Sequence, residues 1–315
     1  MTKQKKNLIQ RFFSLPLIVQ FIDWTKRTSL PGFDGIPMYN VVSFIFKELK
    51  EDNITGRANS MAFSFLLAFF PASVVIFTYI PTSFISGFEQ TFEETLFGVL
   101  PEQGRLFLES IITDIKNVPR GGVRILSIFL ALFFASNGMM ALMRGFNKNY
   151  EITFFDRNAL QKRWTALKLT ILLGILAISS VVLIILGRIF VEKVLHAVHW
   201  DQFSILGFQI LKWLILIILY YMIITTIYRM GTSFKRKLKW LNAGATLAAL
   251  FSIITSLLFA YFVNNFGTYN KLYGSIGALI SIMIWLQINS FILIVGFELN
   301  ASIRVNRDLQ TQAGG

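Results

Sequence analysis

The chain has no cysteine, so disulfide frameworks, thiolate zinc sites, cysteine nucleophiles and iron–sulfur clusters are all excluded together. It holds only two histidines, His196 and His199, and only 15% of its residues are charged, where a soluble domain carries roughly 25%. Its seven prolines all precede residue 120, leaving the rest of the chain without a proline break. What it has in excess is apolar surface. Of 315 residues, 54% are hydrophobic, 32 are Phe, and the mean hydropathy is +0.59. No soluble fold of this length hides that much apolar surface, and disorder requires the opposite composition. The sequence reads as an all-α polytopic membrane protein.

Charge-free runs mark the spans, because a bilayer core of about 30 Å takes ~20 apolar helical residues. Six are predicted: within Ala58–Phe88, Ile125–Met143, Leu169–Gly187, Ile205–Tyr228 (interrupted by Lys212), Trp240–Asn270, and between Lys271 and Glu298. Three regions follow: a cytoplasmic or interfacial segment 1–57, a transmembrane domain 58–303, and a cytoplasmic tail 304–315. Segments on alternate sides of the spans hold 22 and 6 of the 30 basic residues. The positive-inside rule then places both termini in the cytoplasm and explains the net charge of +13 without a nucleic-acid partner. Gln10, Arg11 and Pro16 interrupt the apolar stretch that a cleavable signal peptide would need after Lys3, Lys5 and Lys6.

Two segments flank the spans. Leu8 to Ile22 and Met38 to Lys50 each gather apolar residues on one helical face, which suits interfacial helices on the cytoplasmic leaflet or helices packed under the bundle. In the acidic loop 82–122, Phe88, Phe92, Leu96 and Leu100 recur every four residues before Pro101, with a second apolar set after it. That pattern predicts a helical extracytoplasmic cap, structural or lid-like.

The apolar run AFSFLLAFFPASVVIF, the FGVLP turn at Phe97–Pro101, the segment FASNGMMALMRGFNKNY (Phe134–Tyr150), the segment NFGTYNKLYGSIGALISIMIWL (Asn265–Leu286) and GFELNASI (Gly296–Ile303) together resemble the YihY/BrkB family of bacterial inner-membrane proteins. The resemblance covers roughly residues 35–305. It implies a six-helix fold in the bacterial inner membrane, with a role in serum resistance or in handling lipopolysaccharide or anionic lipid. The family's older ribonuclease label is regarded as a misassignment.

The residues speak on that label separately. His196 and His199 stand i, i+3 near Glu192 and Asp201, but on the extracytoplasmic side by the charge count, and two histidines beside Trp200 suit an interface better than a metal site. The sequence contains no GxSxG, HExxH or GxxxxGK[ST] motif. We expect neither an enzyme nor a cofactor.

Polar groups inside the spans are the functional candidates, since lipid penalises them. Lys212 either snorkels outward or faces a cavity as a site for an anionic head group. Asn137 reads as interhelical glue or a polar site. Pro71 kinks or breaks the first span. Asn265, Tyr269, Asn270 and Tyr273, with Gly267 and Gly274, are expected in a short outer loop that offers donors and acceptors. Glu298 and Asn300 mark the cytoplasmic end of the last span, where Glu298 is expected to pair with Arg144 as a clamp or gate. These candidates point to a transporter or flippase-like protein for an anionic lipid or lipid-linked envelope component. The alternative is a non-transporting scaffold for envelope-biogenesis proteins, and the least favoured reading is a membrane-associated ribonuclease.

Overall fold

The computed structural model describes residues 16–51, 53–79, 122–148, 150–190, 202–265 and 267–313. Among the described residues there are eight α-helices: α1 Pro16–Arg27, α2 Met38–Glu51, α3 Ile54–Tyr79, α4 Gly122–Gly145, α5 Ala159–Phe190, α6 Gln202–Thr226, α7 Ala243–Asn265 and α8 Gly267–Ala313. A π-helical turn, Ile227–Gly231, extends α6. Among the described residues the sole β feature is an isolated antiparallel bridge between Phe154 and Phe234. The protein is all-α.

Five helices among the described residues, α4 to α8, contain stretches long and apolar enough to cross a membrane. The first expected span falls in α3, which is 26 residues long. Its side chains beyond Ala68 lie outside the described residues, as does the expected cap at 80–121. Helix α3 is unbroken through Pro71, so this proline sits within a helix rather than dividing two. On α5 and α6, Ile175, Trp213 and Ile217 are all more than half exposed. Lipid tolerates such faces and water does not.

The tightest core lies toward the basic end of the bundle. Met61, Leu142, Phe146, Tyr228, Ile294 and Phe297 are almost wholly buried there, and the Phe146 and Phe297 rings stack at 4.8 Å. Helices α7 and α8 cross with backbone in contact: a Cβ on Gly244 would lie 2.0 Å from the Gly296 carbonyl oxygen. Only glycine at both positions allows that approach.

Helix α2 is packed rather than merely interfacial. Val41 is fully buried against Leu299 and Ile303 of α8, and Ser302 Oγ donates to the Val41 carbonyl at 3.1 Å. Its other face turns Val42 and Phe46 outward. The turn from α1 into α2 passes through Gly32, Asp34 and Gly35, all with positive φ. This turn aims the Asp34 carboxylate at Lys239 and Arg307.

Helix α8 does not stop near residue 303. It runs 47 residues to Ala313, about 70 Å at 1.5 Å per residue. That is more than twice a bilayer core, so one end projects well beyond the apolar layer. The outer loop expected around Asn265–Gly274 is also absent. Helix α7 ends at Asn265 and α8 begins at Gly267, so Gly267 to Gly274 form the first turns of a helix.

Candidate functional site

Four charged side chains meet where α2, α3, α8 and the α4–α5 connection converge. Glu298, fully buried on α8, accepts from Arg57 Nη2 of α3 at 2.9 Å and lies 3.0 Å from Lys148 Nζ. Lys148, also buried, pairs with Glu48 of α2 as well, and the Tyr150 hydroxyl donates to the other Glu48 oxygen at 3.0 Å. Among the described residues the cluster holds two acids and two bases. A lone buried charge costs several kcal/mol, so this balance is what permits burial. The second carboxylate oxygen of Glu298 is buried without a hydrogen-bond donor among the described residues.

The expected Glu298–Arg144 pair does not form. Helix α4 ends at Gly145, and the chain turns at Phe146–Asn147, carrying Lys148 inward while Arg144 faces out. Arg144 instead lines a cavity of about 40 Å³ with Arg157 and Lys162. Burial lowers the Arg157 pKa from its usual value, and the carbonyls of Gly231 and Thr232 accept from its guanidinium at 3.3 and 2.8 Å.

Asn300 is a structural clamp. Its side-chain oxygen accepts from the Gly244 N–H at 2.9 Å and its amide donates to Asn242 Oδ1 at 2.8 Å. Asn242 Oδ1 also accepts from the Ala245 N–H, capping α7. Asn137 accepts from Arg163 Nη1 at 2.7 Å, tying α4 to α5. The π-helical turn places Arg229 over the Trp240 ring, 4.3 Å from its centroid.

Lys212 stands in the seam between α5 and α6. Its stem lies over Gly187, where a Cβ would approach Lys212 Cδ to 2.7 Å. Its ammonium is 5.8 Å from the Trp213 ring centroid, and no carboxylate pairs with it among the described residues. The side chains of Asn265, Tyr269, Asn270, Tyr273 and Pro71 lie outside the described residues, as do His196 and His199. The structure therefore brings Glu298 together with Glu48, Arg57 and Lys148, and leaves Lys212 apart from that cluster.

Long apolar helices joined at one end by buried ion pairs and close glycine crossings define a polytopic integral membrane protein. The chain belongs to the virulence factor BrkB family, whose family model matches residues 45–314. A Bacillus subtilis (strain 168) protein named as ribonuclease-like, YfkH, is 27% identical over 81% of this chain and 91% of its own length. A UPF0761 membrane protein of Tolumonas auensis is 25% identical over 85% of this chain and 87% of its own. Another from Chlorobium limicola is 28% identical over 91% of this chain and 63% of its own. No solved structure matches the chain.

Proposed function

We propose that this protein binds an anionic lipid, or a lipid-linked envelope component, and carries it across the bacterial inner membrane without enzymatic chemistry. The observation that supports this reading is Lys212, a cation in a lipid-exposed seam, lying over a glycine and without a carboxylate partner among the described residues. A cation at that depth costs about 2.5–3.5 kcal/mol on insertion scales. A phosphate head group drawn to it offsets that cost, and Gly187 leaves room for the lysine stem to lie in the seam. The charge asymmetry of the loops supports cytoplasmic termini. A scaffold reading draws on a different feature, the outward apolar residues Trp24 and Phe46 near the N-terminal end.

The test is translocation of a fluorescent phosphatidylglycerol in proteoliposomes. Parent protein should move it faster than empty vesicles, and Lys212→Met should abolish the difference. A scaffold would show no protein-dependent movement at all.

A further inference from the structure

At the basic end of the bundle, the loop that follows the π-helical turn crosses the continuation of α8 and leaves a cavity of about 300 Å³. Its walls carry four cations, Lys235, Arg236, Arg304 and Arg307, against one carboxylate, Asp308. That carboxylate is already engaged: Thr153 Oγ1 donates to it at 2.8 Å, and Arg307 Nε lies 4.0 Å away. Arg307 is also 3.3 Å from Asp34. Arg304 is only 8% exposed, yet its acceptor is a backbone carbonyl, that of Lys237 at 3.2 Å. Lys235, Arg236 and Arg304 have no carboxylate partner among the described residues.

The wall holding these cations is pinned. The Phe154–Phe234 bridge is closed by the Phe155 N–H to the Ser233 carbonyl at 2.9 Å and the Lys235 N–H to the Thr153 carbonyl at 3.0 Å. The Phe154 and Phe234 rings stack beneath it at 4.6 Å. The four cations are thus gathered round a formed cavity, where they repel one another and where the mostly buried Arg304 guanidinium shares its nearby carboxylates, Asp34 and Asp308, with Arg307. A multiply charged anion reverses both penalties. Arginine's planar fork matches phosphate oxygens two at a time, and exposed lysine and arginine at the rim raise the rate of anion encounter. The volume is at the lower end of small-molecule sites, so it admits a phosphate with part of what the phosphate is attached to.

We propose that this cavity binds a phosphomonoester or diphosphate group, held by Arg304 and Arg307 and attracted by Lys235 and Arg236. The ligand is either a soluble phosphorylated molecule or a lipid head group of that chemistry. The site lies on different elements from Lys212 and goes beyond the lipid-carrying reading, standing or falling without it.

The full-length protein in detergent is titrated with inorganic pyrophosphate by calorimetry, and with short-chain phosphatidic acid by native mass spectrometry, with short-chain phosphatidylcholine as the reference. Saturable binding is expected, weakened at least tenfold in the double variant Lys235→Gln/Arg236→Gln. Both residues are exposed, so the thermal midpoint should stay at the parent value. Arg304→Gln should weaken binding further. Pyrophosphate binding alone assigns a soluble ligand, and phosphatidic acid binding alone assigns a lipid head group. No saturable binding to either probe, or equal binding by parent and double variant, overturns the proposal. Lys212→Met should bind pyrophosphate as the parent does, so loss of lipid movement in that variant leaves this site intact.

Discussion

Arg57 at the start of α3 and Glu298 in α8 are 241 residues apart in the chain and joined at 2.9 Å in the fold. With Lys148 and Glu48 they tie the first long helix, the last helix, the amphipathic α2 and the α4–α5 connection into one ion-pair knot. Such a knot is a register device: each charge is tolerable only while the others stay in place.

Removing one member should therefore be severe. Glu298→Gln takes a carboxylate away from both Arg57 and Lys148, and breaking a buried pair costs about 3–5 kcal/mol. A marked fall in the thermal midpoint in detergent is expected. Glu298→Gln/Lys148→Met removes one charge of each sign and should recover part of the loss. Equal stability of Glu298→Gln and parent would show that the cluster does not hold the helices together.

The close crossing of α7 and α8 makes a second stability prediction. Gly244→Ala would place a methyl 2.0 Å from the Gly296 carbonyl, a rigid backbone atom, so the helices must separate and the Asn300 clamp must open. Gly174→Ala meets nothing within 4 Å and should hold or slightly raise the midpoint, since alanine is the better helix former by about 1 kcal/mol. The pair is measured in one detergent. A Gly244→Ala protein as stable as Gly174→Ala would contradict the backbone contact.

These two contacts mark the division between what the sequence made legible and what it concealed. Long apolar runs are read directly, because helix length and lipid thickness are local constraints. Helices α5, α6 and α7 accordingly coincide with the predicted runs. The knot was not legible. Glu48 sits on the polar side of an amphipathic pattern, which predicts water, and its burial depends on Lys148 a hundred residues away. Lys148 and Glu298 do lie inside two of the segments that carry the family resemblance, which is the available signal. Arg144 is expected beside Glu298 because both stand on the cytoplasmic side, but the chain turns at Phe146–Asn147 and carries Lys148 there instead. The Asn, Tyr and Gly residues around 265–274 have loop chemistry, yet the backbone there is helical.

The proposed orientation rests on loop charge and is open to a direct check. The native chain has no cysteine, so Asn270→Cys and Lys237→Cys have a clean background. An impermeant thiol reagent should label the first in intact cells and the second only after lysis. Lys237 is exposed, so a lack of labelling cannot be put down to burial. Equal labelling of both in intact cells would reverse the assignment of the basic end to the cytoplasm.

The ribonuclease-like name of one relative also has a consequence that can be measured. We expect purified protein to show no RNA cleavage that depends on His196 and His199, because two histidines make a thin ligand set for metal-assisted hydrolysis. The comparison is parent against His196→Ala/His199→Ala with magnesium, manganese or zinc present. A metal-dependent activity lost in the double variant would restore the enzymatic reading.

The lipid-carrying proposal makes its sharpest statement at Lys212 and Gly187. If the ammonium receives a phosphate head group, Lys212→Arg should retain binding. Lys212→Met should weaken it about tenfold, the loss of one charge-assisted hydrogen bond worth ~1.5 kcal/mol. Lys212→Glu should be worse again, since it repels the head group instead of merely failing to attract it. Gly187→Ala tests the same geometry from the opposite helix. Its methyl would lie 2.7 Å from Lys212 Cδ, the middle of a flexible stem, so the lysine swings aside and the fold persists. Binding of anionic lipid should then fall while the thermal midpoint stays near the parent value. Lys212→Met should if anything stabilise the protein, because it removes a charge from an apolar seam. The two readouts are lipid adducts by native mass spectrometry and thermal midpoint in detergent. Lipid binding unchanged in Lys212→Met, Lys212→Glu and Gly187→Ala would mean that the lysine only snorkels, and the site would have to be sought elsewhere.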